Sequence, residues 1–319
     1  MDTADSGLLV KMEIIHLIKF AEKFAGIEVH LPVNGKFLKL NYSQDHFVGI
    51  LRKLQQKDVT EVYIKEADCK KVLEQVTQSM SSASFYDPKT IQEQRVEAVS
   101  AAMETVKGII NQLGVEAETV KLLKTINSRA MTLLGESPSI FAFIKDFKKN
   151  CSEEFLLSIL TNYIMSLVID KFPWKSDQVK EKGALASMMC DMTLTKDDFK
   201  VLRDWQKNGG DLPEHLLRHP AEIAESLKKN RLLIPIETIT IIEQHHETPD
   251  GKGFPMGITS NRFNQLSAIF IISQQFTENL HDASYDYEKR NEIIKRIHNK
   301  YGHAKMFEKA IDALMKVVA

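Results

Sequence analysis

The 319-residue chain lacks a cysteine framework, a long apolar run and any real net charge, and each absence excludes something. Its three cysteines, Cys69, Cys151 and Cys190, are odd in number, far apart and without a CxxC pairing. That excludes a disulfide scaffold and leads us to expect reduced thiols in the cytoplasm. A formal charge of −1 provides no electrostatic footprint for DNA or for an anionic membrane. No apolar run approaches the roughly 20 residues of a membrane span. The opening MDTADSGLLVKMEIIHLIKF is acidic before it is apolar and has no small-residue cleavage site, so no signal peptide is expected. There is no nucleophile elbow, no phosphate loop and no dinucleotide fingerprint.

What remains is ordinary globular material, 43% hydrophobic and 27% charged, long enough for two domains. Residues 8–25 read as helical. IEVHLPVNGKFLKLNY then alternates about Asn34-Gly35, a strong hairpin signal because both turn residues tolerate positive φ. HFVGILRKLQQK has helical spacing, TEVYIK reads as a strand and ADCKKVLEQV as a helix. Residues 1–80 are therefore expected to form a small α/β module, without a ligand cluster and suited to a regulatory or docking role. SMSSASFYDP, small and polar, marks a boundary, and Pro88 opens a helical stretch to 147 expected to act as a linker. Gly114 interrupts it, and Ser137-Pro138 is expected to start its third helix. These helices leave two readings open: pairing two subunits as a homodimer, or packing on their own chain. From 148 to 319 the pattern is helical throughout, with FLLSILTNYIMSLVID apolar on most faces and central. The expected class is α+β overall.

One stretch carries chemistry. IIEQHHETPDGKGFP, residues 241–255, puts two imidazoles at the end of an apolar helix and places turn residues after them. Asp191 lies on a short apolar helix, where an unpaired carboxylate is costly. His219 precedes a proline, so a helix start or break is expected there. Asp191 with His219, His245 and His246 is a ligand set suited to Fe, Mn, Zn or Ni and unsuited to Ca or Mg. A metal so held lowers the pKa of bound water and promotes attack on a phosphodiester. Each histidine alone reads more readily as a surface or capping imidazole than as a ligand, and His16, His30, His46, His215, His281, His298 and His303 show no partner pattern.

HHETPDGKGFP resembles the HH-E-x-x-D-G-x-G-Y-P signature of HD-GYP domains, the all-α cyclic di-GMP phosphodiesterases of bacteria within the HD hydrolase superfamily. One fixed position differs, Phe254 for Tyr. CD, HP and HH occur in the family's order. The resemblance implies an all-α HD-GYP-like domain over 148–319, with Glu247, Asp250, Gly251, Gly253, Phe254 and Pro255 forming a loop over the site. The family's H-D-x-G-K reads CDMTL, so Cys190 stands for the His and Leu194 for the Lys. An early-helix His falls at Glu153 or Glu154. Ala268 replaces an Arg, and Gln274 replaces a metal-binding Asp. In the family a bridging Asp links two metals. The resemblance implies that one site keeps every ligand, Asp191, His219, His245 and His246, while the other keeps only Asp191, with Glu153, Cys190 and Gln274 as substitutes.

Three functions are expected from this pattern. The first is a signalling protein with a degenerate site and one divalent metal, binding cyclic di-GMP or a related cyclic dinucleotide and a protein partner. The second is an unorthodox metal-dependent phosphodiesterase with a rebuilt or mononuclear site. The third is a metal-free scaffold.

Overall fold

The computed structural model describes residues 8–20, 24, 26–43, 46–82, 85, 92–230 and 232–319. The chain divides into two compact units, Met1–Pro138 with Lys149–Cys151, and Ser139–Lys148 with Ser152–Ala319. The fold class is α+β.

Among the described residues, the first element of the first unit is a strand, β1 (Leu9–Glu13), and a helix, α1 (Ile14–Ile18), follows it. This corrects the helix expected over 8–25, of which residues 21–23 and 25 lie outside the described residues. Val10 and Met12 point inward and Lys11 outward, a period of two that the apolar run after it disguises. The hairpin forms as expected from β2 (Val29–Val33) and β3 (Lys36–Lys39), with positive φ at Asn34 and Gly35. Helix α2 (Phe47–Gln55), strand β4 (Glu61–Lys65) and helix α3 (Glu66–Ser81) come next. The sheet order is β1-β4-β2-β3, every pairing antiparallel.

Helices α4 (Gln92–Leu113) and α5 (Ala117–Glu136) pack on α3 within this unit. Gln112 of α4 also occupies the open edge of β1, accepting from the Lys11 N–H at 2.9 Å and donating to the Lys11 carbonyl at 3.0 Å. Pro88 and the boundary around it lie outside the described residues. Ser137 closes α5 instead of opening the next helix, its hydroxyl donating to the Leu133 carbonyl at 2.8 Å. The cap of α6 (Ile140–Asn150) is Ser139, whose Oγ accepts from the Ala142 N–H at 3.2 Å.

The second unit is helical. Its centre is α7 (Glu153–Ile169), capped by Ser152 and packed against α8 (Asp177–Met189), α12 (Gln265–Asp282) and α14 (Lys305–Val318). Around it run α9 (Lys196–Asn208), α10 (Glu214–Lys228), α11 (Ile236–Gln244) and α13 (Arg290–Tyr301). Among the described residues, no helix is long and apolar enough to cross a membrane.

The hairpin turn offers a clean test of local backbone chemistry. Gly35 has φ of 76°, and a Cβ built there meets nothing within 4 Å. Gly35→Ala should therefore cost only backbone strain, about 1 kcal/mol in urea denaturation.

Candidate metal centre

Two helix ends and one helix interior bring the Asp191 cluster together. Cys190 caps α8, and Asp191 is next in the turn. His245 caps α11, and His246 comes next. His219 sits inside α10, which runs unbroken through Pro220, so the helix start or break expected there is corrected. Asp191 Oδ1 lies 3.3 Å from His219 Nε2, 3.3 Å from His245 Nε2 and 4.0 Å from His246 Nε2. The ligand atoms all fall within 4.8 Å of one another.

The hydrogen bonds behind these imidazoles decide what their front atoms are. His219 Nδ1 lies 2.7 Å from the Leu216 carbonyl, and His245 Nδ1 lies 2.7 Å from the Ile242 carbonyl. A carbonyl only accepts, so both Nδ1 atoms carry the proton, and in the neutral ring each Nε2 presents a lone pair. Those lone pairs face a carboxylate oxygen, acceptor against acceptor. His219 Nε2 and His246 Nε2 are buried with no hydrogen-bond partner. A cation among these atoms satisfies them all, and the donor set of one carboxylate and three imidazoles fits a divalent transition metal.

Pro220 has a specific part in this. An alanine there would donate its N–H to the Leu216 carbonyl, four residues back; proline has no N–H. The carbonyl is left for His219 Nδ1. At His245 the accepting carbonyl belongs to the last turn of α11, where helix carbonyls have no partner within the helix. Both rings are thus held by the carbonyl three residues earlier.

Electrostatics reflect the geometry. Burial pushes the Asp191 carboxyl up, but positive charge on the imidazoles of His219 and His245 outweighs it and holds the carboxyl well below the usual carboxylate range; a cation among the same atoms acts in the same direction. Burial, reinforced by His245 and His219, drives His246 well down.

On the far side of Asp191 the chemistry is different. Cys190 Sγ donates to Asp191 Oδ2 at 3.5 Å, and burial, then Asp191, pushes that thiol well up. A cavity of about 20 Å³, little more than one water, lies among Glu154, Cys190, Asp191, Gln274 and Glu278. Glu153 points elsewhere and lies 3.4 Å from His281 Nε2. Glu154 is thus the α7 carboxylate on this side.

The loop after the histidines is built by its own acid. Glu247 is fully buried and accepts three backbone N–H groups, from Met256 at 2.6 Å, Gly257 at 3.1 Å and Ile258 at 3.0 Å. Asp250 accepts from Thr248 at 2.6 Å and from the Lys252 N–H at 3.3 Å. Gly251 has φ of 77°. Gly253 lies so close that a Cβ would stand 2.4 Å from the Glu247 Cα. Phe254, next to Pro255, stacks on His246 at 4.6 Å and joins an apolar cluster with Leu157, Leu194, Phe199, Leu202 and Leu216.

The chain is similar in structure to Bd1817, a HDG"Y"P protein from Bdellovibrio bacteriovorus, at TM-score 0.56 and 14% sequence identity over 98% of this chain and 99% of that one. The fold is HD-GYP-like. No protein-family model matches the sequence, and no curated protein matches it. Leu194 and Phe254, two positions singled out by the resemblance, pack in one apolar cluster. Ala268 is fully buried.

Sequence reasoning passed over several groups beside the cluster. A cavity of about 730 Å³ opens on His245 and His246 and is lined also by Glu278, Arg203, Lys207 and Lys300. Burial raises Glu278 to about 7, with Arg203 opposing. Glu278 borders both cavities, and its signal in the sequence was a lone carboxylate one helical turn beyond Gln274.

Two outcomes test these assignments. Pro220→Ala should raise thermal stability, because an interior helix hydrogen bond is restored, yet weaken metal binding about 10–100-fold by competing for the Leu216 carbonyl. Calorimetric melting and metal titration on the same protein read the two opposite signs. Glu278 has a folded pKa of about 7 against an ordinary 4.5, so folding takes up a proton in that window and stability falls as pH rises through it. Glu278→Gln should flatten the loss, on the order of 3 kcal/mol, in denaturation measured from about pH 5 to about pH 8.

Proposed function

We propose that this chain is an HD-GYP-like cyclic di-GMP signalling protein that holds one divalent transition metal and acts by binding or interaction, with phosphodiesterase activity weak or absent. The ligands are Asp191, His219, His245 and His246. The observation that carries this reading is the asymmetry about Asp191. Its Oδ1 meets imidazole lone pairs, while its Oδ2 meets a thiol in a space of about 20 Å³ bordered by the uncharged amide of Gln274. The metal supplies Lewis acidity toward a phosphate oxygen when bound.

The chain's own residues determine how a ligand is received. His245 and His246 face the large cavity, so a ligand there reaches the metal ligands from one side. Glu247 and Gly253 hold the loop that borders it. The side chains of Leu194 and Ala268 bring no positive charge. Each missing electrostatic contact is typically worth about 10²–10³ in rate, so the loss of a second metal and two cations removes fast hydrolysis. The sheet-bearing unit has no ligand cluster among its described residues and takes the regulatory or docking role.

A second reading, a mononuclear phosphodiesterase, is favoured by Glu278. A carboxyl with a pKa of about 7 beside the cavity has the properties of a general acid at neutral pH.

Metal analysis of protein purified without a histidine tag tests the proposal. We expect one metal per chain, none in His245→Ala and an unchanged content in Gln274→Ala. Cyclic di-GMP turnover should stay far below about 1 per second. Faster turnover by the wild type establishes the second reading instead. A metal-free wild type, or a Gln274→Ala protein that loses its metal, overturns the assignment of ligands.

A further inference from the structure

The cavity beside His245 and His246 is rich in cations, but most of them are already engaged. Arg203 donates to Asp282 and lies against His281, and Lys207 Nζ lies 3.1 Å from the same Asp282. Arg296 donates to Asn279 at 3.1 Å and to Glu292 at 3.1 Å. Lys252 lies 3.6 Å from Asp250 at the rim.

Lys300 differs. It lines the cavity near the C-terminus of α13, and no carboxylate among the described residues pairs with it; its ammonium lies only over the Tyr301 ring, 5.2 Å from the centroid. Lys300 is solvent-exposed where it borders the cavity; partial burial lowers its pKa, and Glu278 and Asp250 oppose that at longer range. An unpaired ammonium in such a place retains its hydrogen-bonding capacity for something that enters.

We propose that Lys300 is a phosphate-binding residue: its ammonium holds a phosphate oxygen of a phosphate-bearing ligand seated between α13 and the His245–His246 pair. Positive charge toward the ligand then comes from α13 and not from the positions of Leu194 and Ala268, both buried and uncharged. The anchoring site rests on the cyclic-dinucleotide reading above only for the identity of the ligand. Its own requirement is broader: an anionic phosphate oxygen, on a diester or on a pyrophosphate.

The test is calorimetric titration of the metal-loaded full chain with two probes, cyclic di-GMP and inorganic pyrophosphate. The variants are Lys300→Met, which keeps the apolar stem, Lys300→Arg, which keeps the charge, and Lys295→Ala, which removes a charge on the same helix from a residue that does not line the cavity. A charge-assisted hydrogen bond predicts about tenfold or greater weakening in Lys300→Met, with metal content and melting temperature unchanged. Lys300→Arg should stay within about threefold of wild type, and Lys295→Ala within about twofold. If pyrophosphate binds with this dependence and cyclic di-GMP does not bind, Lys300 stands and the cyclic di-GMP reading falls. Equal affinities in wild type and Lys300→Met overturn the inference, as does a wild type that binds neither probe. So does a loss in Lys295→Ala equal to that in Lys300→Met.

Discussion

Lone pairs that converge on one point repel one another unless a positive charge lies between them, and the second unit is organised around that constraint. Asp191 and the three imidazoles meet in a buried volume with their accepting atoms turned inward. Folding brings them there at a cost that a cation offsets. The helices supply the geometry. Two ring nitrogens are held by carbonyls three residues earlier, one released by the end of α11 and one by the missing N–H of Pro220. Neither ring can turn its Nε2 away without leaving a buried polar group unpaired.

The loop after the histidines depends on the same placement. Glu247 comes directly after the ligand pair, and its carboxylate gathers three backbone N–H groups ten or so residues on. Gly253 passes against the Glu247 backbone, closer than any side chain permits. Phe254 is thereby laid on the His246 ring, where it seals one side of the cluster with Leu194 and Leu157. Much of HHETPDGKGFP therefore serves to build a wall, and only its first two residues face the metal position.

The two sides of Asp191 are built differently. One offers imidazoles and opens on a large cavity; the other offers a thiol, an amide and a protonatable Glu278 around almost no free volume. The same carboxylate thus separates a side that presents imidazoles from a side that presents a thiol, an amide and two further carboxyl groups, Glu154 and Glu278. Charge in the large cavity is similarly uneven, since Asp282 engages two cations while no carboxylate among the described residues pairs with Lys300.

Local chemistry sufficed for what is periodic or punctuated. The Asn34-Gly35 hairpin, the helical second unit and the metal-ligand candidates could be read from spacing, turn residues and residue type, and the resemblance of HHETPDGKGFP supplied their order. Where two local signals competed, the reading failed: LVKME was absorbed into the apolar run after it, Ser137 and Ser139 both fitted a cap, and Pro220 looked like a break. Those outcomes depend on partners far along the chain, such as β4 for β1, or on a hydrogen bond from a side chain to a freed carbonyl. The convergence of Asp191, His219 and the histidine pair, the rejection of Glu153 toward His281, and the arrival of Glu278 and Lys300 beside them were decided only by packing. Glu278 lies 87 positions beyond Asp191, yet after its own burial that carboxylate is among the groups that raise its pKa, and no local pattern records that distance.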